Sequence, residues 1–423
     1  MKKVVRIGKG RKVTVMPPRV LRAIPGEADV DSQVELLQAL IPVGLAAVEE
    51  ALHQEVERLA GARYQRAGRP RGHVRWGKQR GSVYLLDQKV ALAVPRVRDH
   101  RRNRELPLEL YTRLQEPRHG DAGLLRRVLL GLSARRYEEC AEAVPEAFGL
   151  SASNVSRRFI RASARKLQEL AERRLEPYDF VALFLDGKTF ADDELVIALG
   201  LTGRGEKIVL GFVETATENE GVCTAFLRQL VARGLRWEQG LLCVLDGAKG
   251  LRAAIRRVFG PAALVQRCQW HKRENVLRYL PVAQQAAWRR KLQAAYERPT
   301  YAEAKAALSA LQRELRPVNL SAVESLAEGL EDTLTLHRLG LFPQLGLSLK
   351  TTNCIESLLA QVGQRTDKVD RWVSSDQKQR WVATALLDIE PRLRRIRGYR
   401  FLPQLRAALE AHCREHKSPQ QVA

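Results

Sequence analysis

The chain has 423 residues, of which 45% are hydrophobic and 28% charged, as in folded proteins and unlike disordered ones. At roughly 100–200 residues per domain, this length predicts two to four compact units. Lys and Arg exceed Asp and Glu by 71 to 48, and a net charge of +23 indicates a polyanionic partner such as DNA or RNA. A basic protein that binds no nucleic acid is the alternative.

The first predicted element is a helix from Asp31 to Leu59, interrupted near Pro42 because proline lacks the helical N–H donor. The longest apolar stretch, Leu36 to Val48, lies inside this helix and is too short to span a bilayer. The basic start, Met1-Lys2-Lys3, lacks the apolar segment of a secretory signal. Six scattered cysteines without a Cys-x-x-Cys pair indicate a reducing compartment. We therefore expect a cytoplasmic protein that contacts no membrane.

A basic segment follows, from Gly61 to Arg80, with seven Lys or Arg residues, four glycines and no acid. Such a segment can neutralise phosphates, and its Tyr64 and Trp76 can stack on bases. A solvated loop would have the same composition. The candidate DNA contacts here are Arg69, Arg71 and Arg75. Two short strands are predicted next, between Ser82 and Val97.

Residues 121–175 are predicted to form a helix-turn-helix domain that binds DNA. A cluster of helices leads to a glycine-containing turn at residues 148–151, and a basic helix follows from Ser153 to Leu167. The exposed face of that helix is expected to carry Arg157, Arg158, Arg161 and Arg165. Three packed helices that make no DNA contact are the alternative.

From residue 176 the pattern becomes that of an α/β fold, with three strands, a helix, a strand, a helix and a further strand. Two of the strands are wholly apolar and each ends in Asp-Gly, at Asp186 and at Asp246. Apolar strands are usually central, so both carboxylates are expected at one edge of a mixed sheet. Two close carboxylates need a divalent cation, and oxygen ligands select Mg²⁺ or Mn²⁺. Ordinary turns after two strands are the alternative.

A third acid, Glu356, lies in the segment Lys350 to Ser357, where Thr351, Thr352 or Asn353 is expected to cap a helix. The dipole of the helix favours an acid in its first turn, so Glu356 has a structural explanation as well. With three carboxylates, a pair of metal ions can activate a water or hydroxyl and stabilise the leaving oxygen of a phosphodiester.

Five sequence blocks occur in the order found in a known family. They are Leu185 to Lys188, Leu245 to Leu251, Arg267 to His271, Thr351 to Ser357 and Arg395 to Tyr399. On these blocks the segment from Phe184 to Gly398 resembles the transposases of the IS256 and Mutator-like group, and residues 24–175 are similar, with weaker motifs, to the DNA-binding region of that group.

The resemblance implies a ribonuclease-H-like mixed sheet flanked by helices, interrupted by an all-α insertion and preceded by a mainly helical DNA-binding region. It implies a DDE triad at Asp186, Asp246 and Glu356 that binds Mg²⁺ or Mn²⁺ as two ions. The predicted segments are a helical and basic hairpin region (1–120), the helix-turn-helix domain (121–175), the first part of the catalytic core (176–280), the insertion (281–345), the last acid with basic helices (346–412) and a tail (413–423).

Other residues near the acids have weaker assignments. Lys188, Lys249 and Arg267 are expected to contact the DNA backbone, and Asp192, Asp193 and Glu194 are rivals for the first acid, set in an exposed hairpin. Cys268 and His271 match the family's Cys-x-x-His signature. Zinc needs about four ligands and no second pair is suitably spaced, so a structural or DNA-positioning role is favoured over zinc binding.

We thus predict a bacterial, nucleoid-associated DNA transposase that cleaves and joins DNA at the inverted-repeat ends of an insertion sequence. Its expected partners are double-stranded DNA, both ends and target, and a second protomer in a homodimer or larger assembly. Two other classes stay open: a ribonuclease-H-fold nuclease or resolvase without strand transfer, and an inactive, transposase-derived DNA-binding protein.

Overall fold

The computed structural model describes residues 3–7, 11–15, 30–64, 72–85, 88–115, 120–138, 147–216 and 219–416. The chain divides into two compact units, Met1–Phe159 and Ile160–Ala423. Within the described ranges, every helix is too short or too polar to cross a membrane.

The first unit combines a long helix with antiparallel strands. Its elements are β1 (Lys3–Ile7), β2 (Arg11–Val15), α1 (Val30–Ala60), β3 (His73–Leu85), β4 (Gln88–Asp99), β5 (Arg104–Leu106), α2 (Glu109–Leu114), α3 (Gly120–Leu129), β6 (Ala147–Phe148) and the start of α4 (Ala152–Ala171), which continues into the second unit. Strands pair in the order β3-β4-β5, and β6 adds to β4. The core forms where Leu52 and Val56 of α1 pack against Val83, Val94 and Val97.

Two expectations for this unit are corrected. The helix α1 runs through Pro42 without a break, so the loss of one N–H donor does not end it. The region is also mixed rather than mainly helical, because the two predicted short strands lengthen into β3 and β4, of 13 and 12 residues. The alternating buried positions of β4 supply the apolar face that α1 covers.

The second unit contains a five-stranded mixed sheet and most of the helices. Its elements are β7 (Phe180–Phe190), β8 (Asp193–Thr202), β9 (Lys207–Thr215), α5 (Glu220–Ala232), β10 (Leu241–Leu245), α6 (Lys249–Phe259), β11 (Ala263–Arg267), α7 (Gln269–Leu277), α8 (Val282–Tyr296), α9 (Tyr301–Leu315), α10 (Leu320–Ala327), α11 (Leu330–Thr333), α12 (Thr335–Arg338), α13 (Phe342–Leu349), α14 (Asn353–Thr366), α15 (Ser375–Ile389) and α16 (Leu402–His416).

The sheet order is β11-β10-β7-β8-β9, with β7, β8 and β9 antiparallel and with β10 and β11 parallel to β7. The apolar runs occupy the centre because β7 and β10 are buried on both faces. On one face, Leu183, Leu185 and Leu245 pack against residues of α5 and α6. The helix α14 packs against β7.

Between α7 and α14, the described residues 278–352 contain helices and no strand. A separate apolar cluster joins α8, α9 and α10 to the end of α7, with Trp288, Leu292, Leu308 and Leu311 among its members. This helical stretch therefore has a core of its own.

One strand boundary differs from expectation. The strand β7 does not end at Asp186 but continues to Phe190, because its hairpin partner β8 pairs along it up to Phe190↔Asp193. Its parallel neighbour β10 stops at Leu245↔Leu185. Asp186 therefore lies inside a strand, at the point where pairing on one side ceases.

Candidate active site

The two aspartates come together as the sequence predicts. Leu185 of β7 pairs in register with Leu245 of the parallel strand β10, so Asp186 and Asp246 are the next residues on neighbouring strands. Asp186 is buried, with 6% exposure. One oxygen of Asp246 accepts a hydrogen bond from the backbone N–H of Ala248 at 2.9 Å, which fixes the carboxylate at the turn.

The turn after the second aspartate requires a glycine, which is Gly247. Its φ is +113°, a conformation that favours glycine, and a Cβ there would lie 2.2 Å from Nε of Arg267. The guanidinium of Arg267 thus lies directly against the turn. The turn is also tied to β11, because the N–H of Cys268 donates to the carbonyl of Leu245 at 2.8 Å.

Glu356 is held at the start of α14 by a side-chain network. The hydroxyl of Thr352 donates to the Glu356 carboxylate and lies 3.4 Å from both Sγ of Cys268 and Nδ1 of His271. Nε2 of His271 is 3.9 Å from Oε1 of Glu356. The N–H of Gln269 donates to the carbonyl of Lys350 at 2.9 Å. The Cys-x-x-His motif is thus connected, through Thr352 and Lys350, to the start of the helix that carries Glu356.

His271 is the cation of this acidic neighbourhood. Its hydrogen bond to Cys268, opposed by burial, and the negative charges of Glu356 and Asp246 raise the pKa of His271 to about 9. Burial raises the pKa of the Cys268 thiol, but the bonds from His271 and Thr352 outweigh that effect and lower it. His271 therefore lies within electrostatic range of both Asp246 and Glu356.

The ligand atoms that converge most tightly, all within 4.8 Å of one another, belong to Cys268, His271 and Glu356. Among the described residues, the three acids do not form a group of that tightness. Thr352 was expected as a helix cap. It occupies the N-cap position, but its hydroxyl makes no side-chain cap bond and holds Glu356 instead.

Comparison with known proteins identifies the family. The profile described as "Transposase, Mutator family" matches residues 23–393, which is most of the chain. The chain belongs to the Mutator family of transposases. The transposase for insertion sequence element IS1081 of Mycobacterium tuberculosis is 28% identical over 397 residues, covering 89% of this chain and 90% of that protein.

Two further relatives have similar coverage. The transposase for IS905 of Lactococcus lactis is 27% identical over 356 residues, covering 81% of this chain and 86% of its own. The transposase for IS256 in transposon Tn4001 of Staphylococcus aureus is 26% identical over 312 residues, covering 70% and 76%. The resemblance inferred from the five sequence blocks is confirmed.

The arginines of this transposase that are expected to contact DNA include exposed side chains and side chains bound to other residues. Arg157 and Arg161 are exposed on α4. Arg158, expected beside them, is 1% exposed and lies over the ring of Tyr84 at 5.4 Å, so the prediction that it is exposed is wrong. Arg75 donates twice to the carbonyl of Gly61. Arg69 and Arg71 lie outside the described residues.

The cations near the acids also differ. Lys188 is exposed, two residues beyond Asp186 on the same strand. The side chain of Lys249 is 91% exposed at the start of α6. Arg267 is buried, with 9% exposure, and donates to the carbonyl of Glu328 at 3.0 Å. The rival acid Asp193 is paired with Lys378, and Asp192 is exposed in the turn before β8.

Two residues beside the site carry no signal in the sequence that singles them out. Lys272 is completely buried, and its Nζ lies 3.9 Å from a carboxylate oxygen of Glu328, at the end of α10. Lys272 directly follows the Cys-x-x-His motif, which is the only local hint for it. Glu328 lies in the helical stretch between α7 and α14, where the sequence contains several other glutamates and nothing distinguishes this one.

Proposed function

We propose that this transposase is a metal-dependent DDE enzyme with a ribonuclease-H-like core, and that it cleaves and joins DNA at the inverted-repeat ends of an insertion sequence. The observation that supports the proposal is the register of β7 and β10, in which Asp186 and Asp246 each directly follow the last paired residue of two buried, neighbouring strands.

The fold supports the assignment. Three antiparallel strands followed by two parallel ones, in the order β11-β10-β7-β8-β9, is the strand arrangement expected of a ribonuclease-H-like sheet. The helical stretch between α7 and α14 has its own apolar cluster, as an insertion before the last acid should.

The donor set suits Mg²⁺ or Mn²⁺. Asp186, Asp246 and Glu356 offer carboxylate oxygens, which such hard ions prefer. Asp186 and Asp246 would hold the ions between them, and Glu356 would hold one of them after exchanging its bond from Thr352. When bound, the ions supply charge neutralisation for the phosphodiester that is cut.

The residues of the chain would orient the reaction around these acids. Ala248 fixes one oxygen of Asp246, while Thr352 and His271 hold Glu356 at the start of α14. In the first step, water attacks the phosphorus, the bond to the 3′ oxygen breaks, and that oxygen takes a proton. In the second step, the freed 3′ hydroxyl attacks a second phosphodiester in line, and a new phosphorus–oxygen bond replaces the one that breaks. The proton lost by the attacking hydroxyl goes to the oxygen that leaves.

Binding of the DNA ends rests on the net charge of +23 and on exposed cations such as Arg157, Arg161 and Lys188. Because two ends must be held together for joining, a homodimer or a larger assembly on DNA is part of the proposal.

The test is a cleavage and joining assay on duplex DNA that carries the element's ends, with Mg²⁺. Asp186→Asn, Asp246→Asn and Glu356→Gln should each lower both products by roughly 10³-fold or more. The same variants should still bind the DNA when the metal is chelated. The matched control is Asp192→Asn, which changes an exposed acid on the adjoining turn and should keep full activity.

The outcomes separate the alternatives. Cleavage without any joined product, in an otherwise active protein, would favour a nuclease or resolvase. Specific binding of ends with no Mg²⁺-dependent product would favour a DNA-binding protein. Joining that persists in the Asp186 and Asp246 variants would refute the assignment of the acids.

A further inference from the structure

A cluster of cations lies next to the acids and is balanced by a single glutamate. Nζ of Lys249 is 3.7 Å from one oxygen of Glu328, and Nη2 of Arg267 and Nζ of Lys272 are 3.6 and 3.9 Å from the other. At 3.6 Å or more, none of these contacts is a hydrogen bond. The carboxylate is thus attracted by three cations and bound closely by none of them.

Two of the three cations, Arg267 and Lys272, are fixed, whereas the glutamate side chain is half-exposed. The side chains of Lys272 and Arg267 are 0% and 11% exposed, and both bond the backbone carbonyl of Glu328. The side chain of Glu328 is 51% exposed. The buried charges are therefore anchored through the main chain, and the carboxylate can move aside without releasing them.

A cavity of about 130 Å³ opens at this cluster, lined by Gly247, Lys249, Arg252, Arg267, Glu328 and Asp332. Its volume exceeds the roughly 30 Å³ that one water molecule occupies. Two glycines with positive φ, Gly247 and Gly329, enclose the Arg267 guanidinium, and a Cβ on either would lie within 2.7 Å of it. The backbone is thus shaped around a guanidinium that borders open space.

The position of the cavity indicates its ligand. Gly247 and Lys249 follow Asp246 directly in the chain, so the cluster lies at the turn that carries the second acid. Arginine and lysine together are the usual ligands of a phosphate group, which carries several acceptor oxygens.

We propose that Arg267 and Lys249, which line this cavity, form a binding site for a backbone phosphate of DNA next to the one that is cut. The buried charge of Lys272 strengthens the site from behind, and the carboxylate of Glu328 occupies it until DNA displaces that carboxylate. The inference rests on the proposed function, because it assumes DNA at Asp186 and Asp246. It adds a second ligand site to that function and makes Glu328 a competitor of the substrate.

The test compares two glutamates that differ in their partners. Glu328→Gln removes the competing charge, so the full-length protein, with chelator present, should bind end-containing duplex roughly three- to tenfold more tightly, with a steeper salt dependence. Glu331→Gln makes the same change in net charge three residues later, at a side chain of 46% exposure paired with Lys305. It should change the affinity by less than about twofold.

A second pair of variants tests whether the cations bind DNA. This pair remains informative even if the glutamate variants fail to fold. Lys249→Ala changes a side chain that is 91% exposed and should weaken binding several-fold, lowering the salt slope by about one. Arg252 lines the same cavity but already has Asp332 as a partner at 2.7 Å, so Arg252→Ala should have a smaller effect.

The phosphate itself can be located with duplexes that carry a single neutral methylphosphonate. The gain in DNA affinity from Glu328→Gln should vanish when the methylphosphonate replaces one particular phosphate near the cleavage site. It should persist when the methylphosphonate replaces any other phosphate. Equal affinities for Glu328→Gln and Glu331→Gln, or equal effects of Lys249→Ala and Arg252→Ala, would overturn the inference. If either of these results is found and the wild type still cleaves and joins ends in Mg²⁺, only the phosphate site is refuted. If the wild type binds no ends at all, the proposed function fails with it.

Discussion

The end of β11 and the start of α7 contribute to two neighbouring sites of opposite charge. Cys268 and His271 face Glu356, on the side of the acids. Arg267 and Lys272 face Glu328, on the side where the cations gather. The short segment 267–272 thus contributes residues to both sites.

The difference shows what each site lacks. Clustered charges of one sign are unfavourable unless an opposite charge neutralises them. Under the proposed function, a pair of divalent ions would neutralise the acidic site, and a phosphate would neutralise the basic site. The two sites together would then match the two components of a metal-dependent reaction on DNA.

Among the variants that compare the two sites, Gly247→Ala should have the largest effect, because Gly247 lies between Asp246 and Arg267. An added Cβ would meet Arg267 at 2.2 Å and would be strained at φ +113°. We expect roughly 10²-fold less cleavage, since Asp246 and Arg267 both shift, and a loss of about 2–4 kcal/mol in the free energy of unfolding.

Gly340→Ala is the matched control for that variant. Gly340 also has a positive φ, +69°, but a Cβ there meets nothing within 4 Å. It should cost about 1–2 kcal/mol of stability and leave cleavage unchanged. Equal losses of cleavage activity in Gly247→Ala and Gly340→Ala would show that Gly247 has no special role at the site.

A smaller effect concerns pH and the basic site. Burial, together with the charge of Arg267 and against the attraction of Glu328, lowers the pKa of Lys272 to about 8 from an ordinary value of 10.5. The folded state therefore binds fewer protons than the unfolded state between pH 8 and 10.5. The contribution of Lys272 to stability should rise with pH through that window, by an amount on the order of 1–3 kcal/mol.

The measurement is the free energy of unfolding at several pH values for the wild type and for Lys272→Met. The wild type should gain stability relative to the variant between pH 8 and 10.5. Lys291→Met, at a side chain that is 49% exposed, should behave like the wild type. A phosphate at the site would raise the pKa of Lys272, so bound DNA should flatten the difference. If the difference in free energy of unfolding between the wild type and Lys272→Met stays constant from pH 8 to 10.5 without DNA, the pKa of Lys272 is not lowered.

The parts of this fold that the sequence predicted are those fixed by local pattern. The strand β10 is the wholly apolar run that was expected to end at Asp246, because buried strands are continuous apolar runs between turns. The register of β7 and β10 then followed from placing the two runs side by side. Glu356 was found from its family motif and its position in the first turn of a helix.

The missed features depend on contacts between residues distant in the chain. Helical periodicity placed Arg158 on an exposed face, but Tyr84 and the packing around α4 bury it. The extension of β7 to Phe190 depends on its pairing with β8. Glu328 could not be recognised, because only the folded chain brings it to Arg267 and Lys272.

We expect the carboxylates of Asp186 and Asp246, which follow the last residues paired between β7 and β10, to bind divalent ions together with Glu356. Mn²⁺ binding followed by electron paramagnetic resonance tests it without relying on activity. The wild type and Asp192→Asn, on end-containing DNA, should bind two ions for each active site, and Asp186→Asn, Asp246→Asn and Glu356→Gln should each bind fewer or bind them more weakly. Mn²⁺ binding that is the same in all five proteins would contradict the account.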